Sequence, residues 1–77
     1  MVQPTPILES IFLSERLGIP VYLKLENLNI TGSFKIRGAT NAIRSLPQHK
    51  RAKGIVAASA GNHAQAVAYV CRHLEIP

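Results

Sequence analysis

The chain opens on Pro4 and Pro6, whose fixed backbone angles predict an extended opening segment. From Ile7 to Leu17, apolar Leu8, Ile11, Phe12 and Leu17 surround a polar group at Ser14, Glu15 and Arg16. That spacing predicts a helix, ended by Gly18 and Pro20. Val21, Leu23 and Leu25 then alternate with Tyr22, Lys24 and Glu26, the period of a strand with one buried face.

Asn27 to Gly32 is loop-like, and Ser33 is placed to cap a helix starting at Phe34, its hydroxyl accepting from a free first-turn amide. Ile36, Ala39, Ile43 and Leu46 follow at helical spacing, and Pro47 stops the helix. A basic connection reaches Gly54 and the apolar run Ile55 to Ala58, short enough for a buried parallel strand. The loop Ser59 to Asn62 opens a third helix with Ala64, Val67, Ala68, Cys71 and Leu74 on one face. The expected order is helix, strand, helix, strand, helix, an α/β fold with a parallel sheet and right-handed crossovers. Ligands of such sheets bind where strands hand over to helices, which is where Thr31 to Lys35 and Ser59 to His63 fall.

Length sharpens this picture. A chain of 77 residues buries only about 60% of its unfolded surface, and two strands do not make a stable covered parallel sheet. Leu17-Gly18-Ile19-Pro20 leads into a strand, and Leu74-Glu75-Ile76-Pro77 repeats that pattern at the end of the chain, which predicts the N-terminal part of a larger fold. The hydrophobic fraction, 47%, is that of a globular protein. The net charge of +5 is compatible with nucleic acid, an acidic membrane or a phosphorylated small molecule. Its only cluster, His49, Lys50, Arg51 and Lys53, lacks a zinc-finger or aromatic–basic context and reads as a solvated connection. No run approaches a membrane span, no secretory pattern opens the chain, and lone Cys71 fits a reducing compartment, so the expected location is cytoplasmic.

Chemistry concentrates at two loops. Lys35 stands in the first turn of a helix, where the positive end of the dipole disfavours an ammonium; with desolvation, its amine would be free for Schiff-base chemistry. Most lysines are surface charges, but Lys35 and Arg37 together break the usual preference for acidic residues in a first turn, and such violations mark functional sites. In Ser59-Ala60-Gly61-Asn62-His63, small residues expose amides at a helix start, a setting for a carboxylate or phosphate. By spacing alone Asn62 reads as a helix cap, His63 as a structural or hydrogen-bonding group, and Lys24 with Glu26 as a same-face pair. No His, Cys, Asp or Glu spacing suits a metal.

Val21-Tyr22-Leu23-Lys24-Leu25-Glu26-Asn27 followed by Thr31-Gly32-Ser33-Phe34-Lys35-Ile36-Arg37-Gly38-Ala39 resembles the cofactor-lysine region of the fold type II pyridoxal-phosphate enzymes. Ala58-Ser59-Ala60-Gly61-Asn62-His63-Ala64-Gln65 resembles their substrate-binding asparagine loop, and Pro4-Thr5-Pro6-Ile7 their opening segment. Motif order and separation match over nearly the whole chain, and within the family the chain is most similar to the threonine dehydratases.

The resemblance implies pyridoxal 5′-phosphate held by Lys35 as a Schiff base, Phe34 against the pyridine ring, and Asn62 on the ring's 3′-oxygen. It makes Ser59, Ala60, Gly61, Asn62 and His63 the cradle of the substrate carboxylate. It implies β-elimination of threonine or serine, giving 2-oxobutanoate and ammonia from threonine. About 1–50 would belong to a large subdomain and about 54–77 to the start of a small one, in a homo-oligomer when full length. Ala60 stands where the related serine racemases carry a second serine used as a base. Ala66 and Glu75 stand where glycine is common. The glycine-rich phosphate cup of the family has no counterpart in these residues, so the 77 residues alone are expected to lack dehydratase activity. Serine racemase, threonine synthase or cysteine synthase remain alternative siblings, with a basic binding module or an inactive interaction piece as readings from other classes.

Overall fold

Ser10 divides the opening of the chain into two conformations. In the computed structural model, which describes residues 1–77, its hydroxyl accepts from the Leu13 amide at 3.1 Å and caps helix α1, Ile11–Leu17. The residues before the cap are extended and form strand β1, Ile7–Glu9, so the expected helix is shorter by the part that the cap and the prolines keep out of it. Gly18 ends α1 in the left-handed region, φ 69°, with its amide on the Ser14 carbonyl at 2.9 Å.

Strand β2, Tyr22–Lys24, pairs antiparallel with β1 in the register Ile7↔Lys24, Leu8↔Leu23, Glu9↔Tyr22. Ser10 N–H to the Val21 carbonyl and Leu25 N–H to the Pro6 carbonyl extend the ladder by one bond at each end. All three β2 residues are exposed, with Val21 and Leu25 only half-buried, because no layer covers the expected apolar face.

After two short 3-10 turns, Glu26–Leu28 and Ile30–Gly32, the chain enters α2, Lys35–Arg44. Helix α3, Gln48–Arg51, is a single turn after Pro47, and α4 runs Asn62–His73. The core lies between α2 and α4: Ile36, Ala39 and Ile43 meet Ala66, Val70 and Cys71, with Ile30, Val67 and Leu74 packed at its margin. The expected face of α2 is the buried one. On α4 the buried stripe is rotated, with Ala66 and Val70 innermost and Ala68 exposed. A helix that presents alanine or valine at 64, 66, 67, 68 and 70 has apolar side chains on several faces, and packing against α2 selects among them. Cys71 is in this core, and burial pushes its thiol above its ordinary pKa.

The order is therefore strand, helix, strand and three helices, and the sheet is antiparallel and two-stranded. The expected parallel sheet is absent. Ile55–Ala58 forms no strand, and Val56 is 99% exposed. A strand exists only through a ladder partner, and residues 55–58 pair with neither β1 nor β2.

The resulting shape is long. The radius of gyration is 16.3 Å and the extents are 52 × 23 × 15 Å, against about 11.5 Å expected for a compact chain of this length. The β1–β2 pair and the α1 helix between them project from the α2–α4 body with Ile7, Leu8, Ile11, Phe12 and Leu17 exposed. No helix is long and apolar enough to cross a membrane.

Candidate active site

The loop before α2 is set by Asn29, a buried side chain whose Oδ1 accepts from the Ile30 amide at 2.8 Å and the Gln3 amide at 3.3 Å. Thr31 follows at φ 66° and Gly32 at φ 76°, two left-handed residues in succession. A non-glycine residue there costs about 1 kcal/mol or more. The turn delivers the chain to Ser33, extended and buried, whose hydroxyl accepts from the Lys35 amide at 3.3 Å. The amide bond expected of Ser33 is made, but α2 starts at Lys35 with Phe34 in the cap position, one residue later than expected.

Lys35 begins α2, and its Nζ lies 5.4 Å from the centroid of the exposed Phe34 ring, within cation–π range. Both line an open concavity of about 310 Å³, together with Arg37, Gly38, Ala39, Ala42 and His63. The two sequence-predicted loops thus meet at one surface: Phe34 and Lys35 from the start of α2, His63 from the start of α4. Ser59, Ala60, Gly61 and Asn62 do not line it. Lys35 is exposed, so these residues do not provide the desolvation its expected chemistry calls for.

The second loop is partly self-satisfied. The Ser59 hydroxyl accepts from the Gly61 amide at 3.1 Å, and the Gly61 carbonyl accepts from Gln65 N–H at 3.0 Å. Asn62 is the first residue of α4, with Gly61 in the cap position and no side-chain cap bond, so the capping role expected from spacing is not taken up. A capping-type residue placed one position inside the helix cannot turn its side chain back onto the N2 or N3 amides.

A polar cluster that sequence reasoning did not find is built on Arg37, two residues after Lys35. Arg37 donates from Nε to Glu26 Oε1 and from Nη2 to Glu26 Oε2 at 3.0 Å, and also to the Gln3 carbonyl at 3.1 Å. The Thr5 hydroxyl donates to Glu26 Oε2. These bonds, Arg37 first and Thr5 second, hold the Glu26 carboxyl at about 2, well below its ordinary value. The same contact raises Arg37. Lys24 does not pair with Glu26 as expected; its Nζ donates to the Thr5 carbonyl at 2.6 Å. The signal for this cluster was present in the sequence as a basic first turn without a counter-charge.

A family model described as pyridoxal-phosphate dependent enzyme matches residues 1–77. The chain belongs to that family. Pyridoxal phosphate is the cofactor of these pyridoxal-phosphate-dependent enzymes, and an amine beside an exposed aromatic face, on one concavity, fits its aldehyde and ring. Among its relatives, the L-threonine ammonia-lyase of Geobacter sulfurreducens is 53% identical over 76 residues, covering 99% of this chain and 19% of that protein. The L-threo-3-hydroxyaspartate ammonia-lyase of Saccharomyces cerevisiae is 49% identical, covering 99% and 23%. The structure of maize serine racemase superposes with a TM-score of 0.91 at 39% identity, covering 99% of this chain and 24% of that one. The chain spans about a fifth to a quarter of the length of these members of the pyridoxal-phosphate-dependent family.

Proposed function

We propose that this chain supplies the cofactor lysine and the substrate-carboxylate loop of an ammonia-lyase that eliminates water from threonine or serine. The observation that carries the reading is the concavity at which Phe34, Lys35 and His63 converge from the starts of α2 and α4. When bound, pyridoxal phosphate supplies an aldehyde and a sink for the electrons left by the departing α-proton.

Lys35 would hold the cofactor covalently through Nζ, and the same nitrogen would accept the α-proton of the substrate. Phe34, exposed beside that amine, would cover a face of the ring. Asn62 would donate to the 3′-oxygen from the start of α4. The loop from Ser59 through Ala60 and Gly61 to Asn62 and His63 would take the substrate carboxylate, favoured by the positive end of the α4 dipole. Ala60 has no titratable group where the related serine racemases carry a second serine used as a base, which favours elimination with release of ammonia and a 2-oxo acid. The division near residues 50–54 between two subdomains, a homo-oligomeric full-length enzyme and the inactivity of the isolated 77 residues belong to the same proposal.

The test is borohydride reduction of the full-length protein carrying this chain, loaded with pyridoxal phosphate, followed by peptide mapping. The label is expected on Lys35. A label on another side chain removes Lys35 from its role and the reading with it.

A further inference from the structure

Helix α2 begins in a way that should not hold it steady. Its first turn carries Lys35 and Arg37 and no acidic residue, against the helix dipole. Phe34 and Lys35 are exposed, so packing does not fix them. The fixed points are Ile36, fully buried against α4, and Arg37, gripped by Glu26. Successive residues are about 100° apart around a helix axis. Anchors at 36 and 37 on adjacent bearings therefore oppose rolling of the first turn of α2, and they set the bearing at which the Lys35 side chain leaves the helix.

We propose that Glu26 is a positioning residue for Lys35, acting through its two-pronged grip on Arg37 to hold the first turn of α2 and present the lysine amine to the concavity shared with His63. The inference rests on the reading of Lys35 given under Proposed function. Glu26 suits the task because three segments meet on it. Its carboxylate takes Arg37 Nε, Arg37 Nη2 and the Thr5 hydroxyl, and Arg37 Nη2 also reaches the Gln3 carbonyl, so residues 3–5, residue 26 and α2 are tied at one point.

The clamp has a second effect. Three donors occupy the carboxylate, and Arg37–Glu26 is the ion pair of the chain; Lys35 is in none. A carboxylate beside a lysine favours the ammonium form, which cannot attack an aldehyde. Arg37 supplies the counter-charge that Glu26 needs, so this carboxylate is paired with the guanidinium and not with the Lys35 amine. A lysine at position 37 would keep the charge but lose the planar fork that makes two parallel bonds.

The experiment measures Schiff-base formation by the full-length protein carrying this chain, stripped of cofactor and mixed rapidly with pyridoxal phosphate. The visible absorbance is followed in time and normalised to the folded fraction. Glu26→Gln and Arg37→Lys are each expected to slow this rate about tenfold or more, the scale on which misplacing a reacting group acts. The double variant is expected to be no slower than either single one, because all three break the same contact. A clamp of purely structural importance would lower the melting temperature and leave the normalised rate unchanged, and that result overturns the proposal. Additive slowing in the double variant overturns it too, since it gives the residues separate roles. If Glu26→Gln does not fold, Arg37→Lys alone provides the decisive rate. Borohydride mapping of the unsubstituted protein separates the two levels: label on Lys35 with an unchanged variant rate overturns the clamp alone, whereas label elsewhere overturns the reading beneath it.

Discussion

The Ile76 amide donates to the Cys71 carbonyl at 2.8 Å, reaching back across Glu75. Glu75 itself is left-handed, φ 56°. This is the helix-ending arrangement in which glycine normally occupies the left-handed position, because a Cβ there meets the neighbouring carbonyl. Glu75→Gly is therefore expected to raise stability by about 1 kcal/mol, read as a higher midpoint in urea denaturation. Glu75→Ala keeps the Cβ and is expected to bring no such gain.

The pH dependence of stability follows from Glu26. Its carboxyl titrates at about 2 in the folded chain and near 4.5 unfolded. A lowered folded value contributes stability that is complete above the unfolded value and disappears as the pH falls through the folded one. The melting temperature should thus decline between about pH 4.5 and pH 2. Glu26→Gln should flatten that decline, a comparison made by thermal scans across the range.

The α2–α4 contact sets the remaining stability. Ile36→Ala removes a fully buried side chain facing Ala66 and Val70, a change that costs about 2–5 kcal/mol in a packed core. A helix pair this small cannot absorb that loss, so helical circular dichroism at ambient temperature should fall. Val56→Ala, at a site 99% exposed, should leave it unaltered.

For the chemistry, Lys35→Ala in a full-length protein should abolish both the visible absorbance of the bound cofactor and ammonia release from threonine. Asn62→Ala should keep the covalent attachment and weaken substrate capture, seen as a raised KM. Ammonia release undiminished in Lys35→Ala would refute the assigned role.

Local features were legible in the sequence, and those that need a distant partner were not. Gly18 ends its helix, Ser33 bonds the Lys35 amide, and Ile36, Ala39 and Ile43 face the core as their spacing indicates. Each depends on residues within about one turn of itself. Ile55–Ala58 has the composition of a strand, but no neighbour in these 77 residues offers it a ladder. Tyr22–Lys24 is a strand as expected, and only its partner, Ile7–Glu9, reveals the sheet to be antiparallel. The Lys35 and Asn62 motifs could be read from residue order, whereas the concavity joining Lys35 to His63 depends on how α4 lies across α2. Glu26 has Lys24 as the obvious neighbour along the strand, yet it pairs across 11 residues with Arg37, because the turns at 26–32 fold the chain back on itself.

The projecting β1–α1–β2 unit makes the molecule a long lever with its fulcrum at the Thr5–Glu26–Arg37 knot. Its outer amides, Leu8 and Leu23 among them, are backed by no packed layer, whereas those of Ile43 and Val70 are sealed between helices. Deuterium should therefore enter the chain in two waves, and acid strong enough to neutralise one carboxylate should free the lever from the helix that bears the lysine.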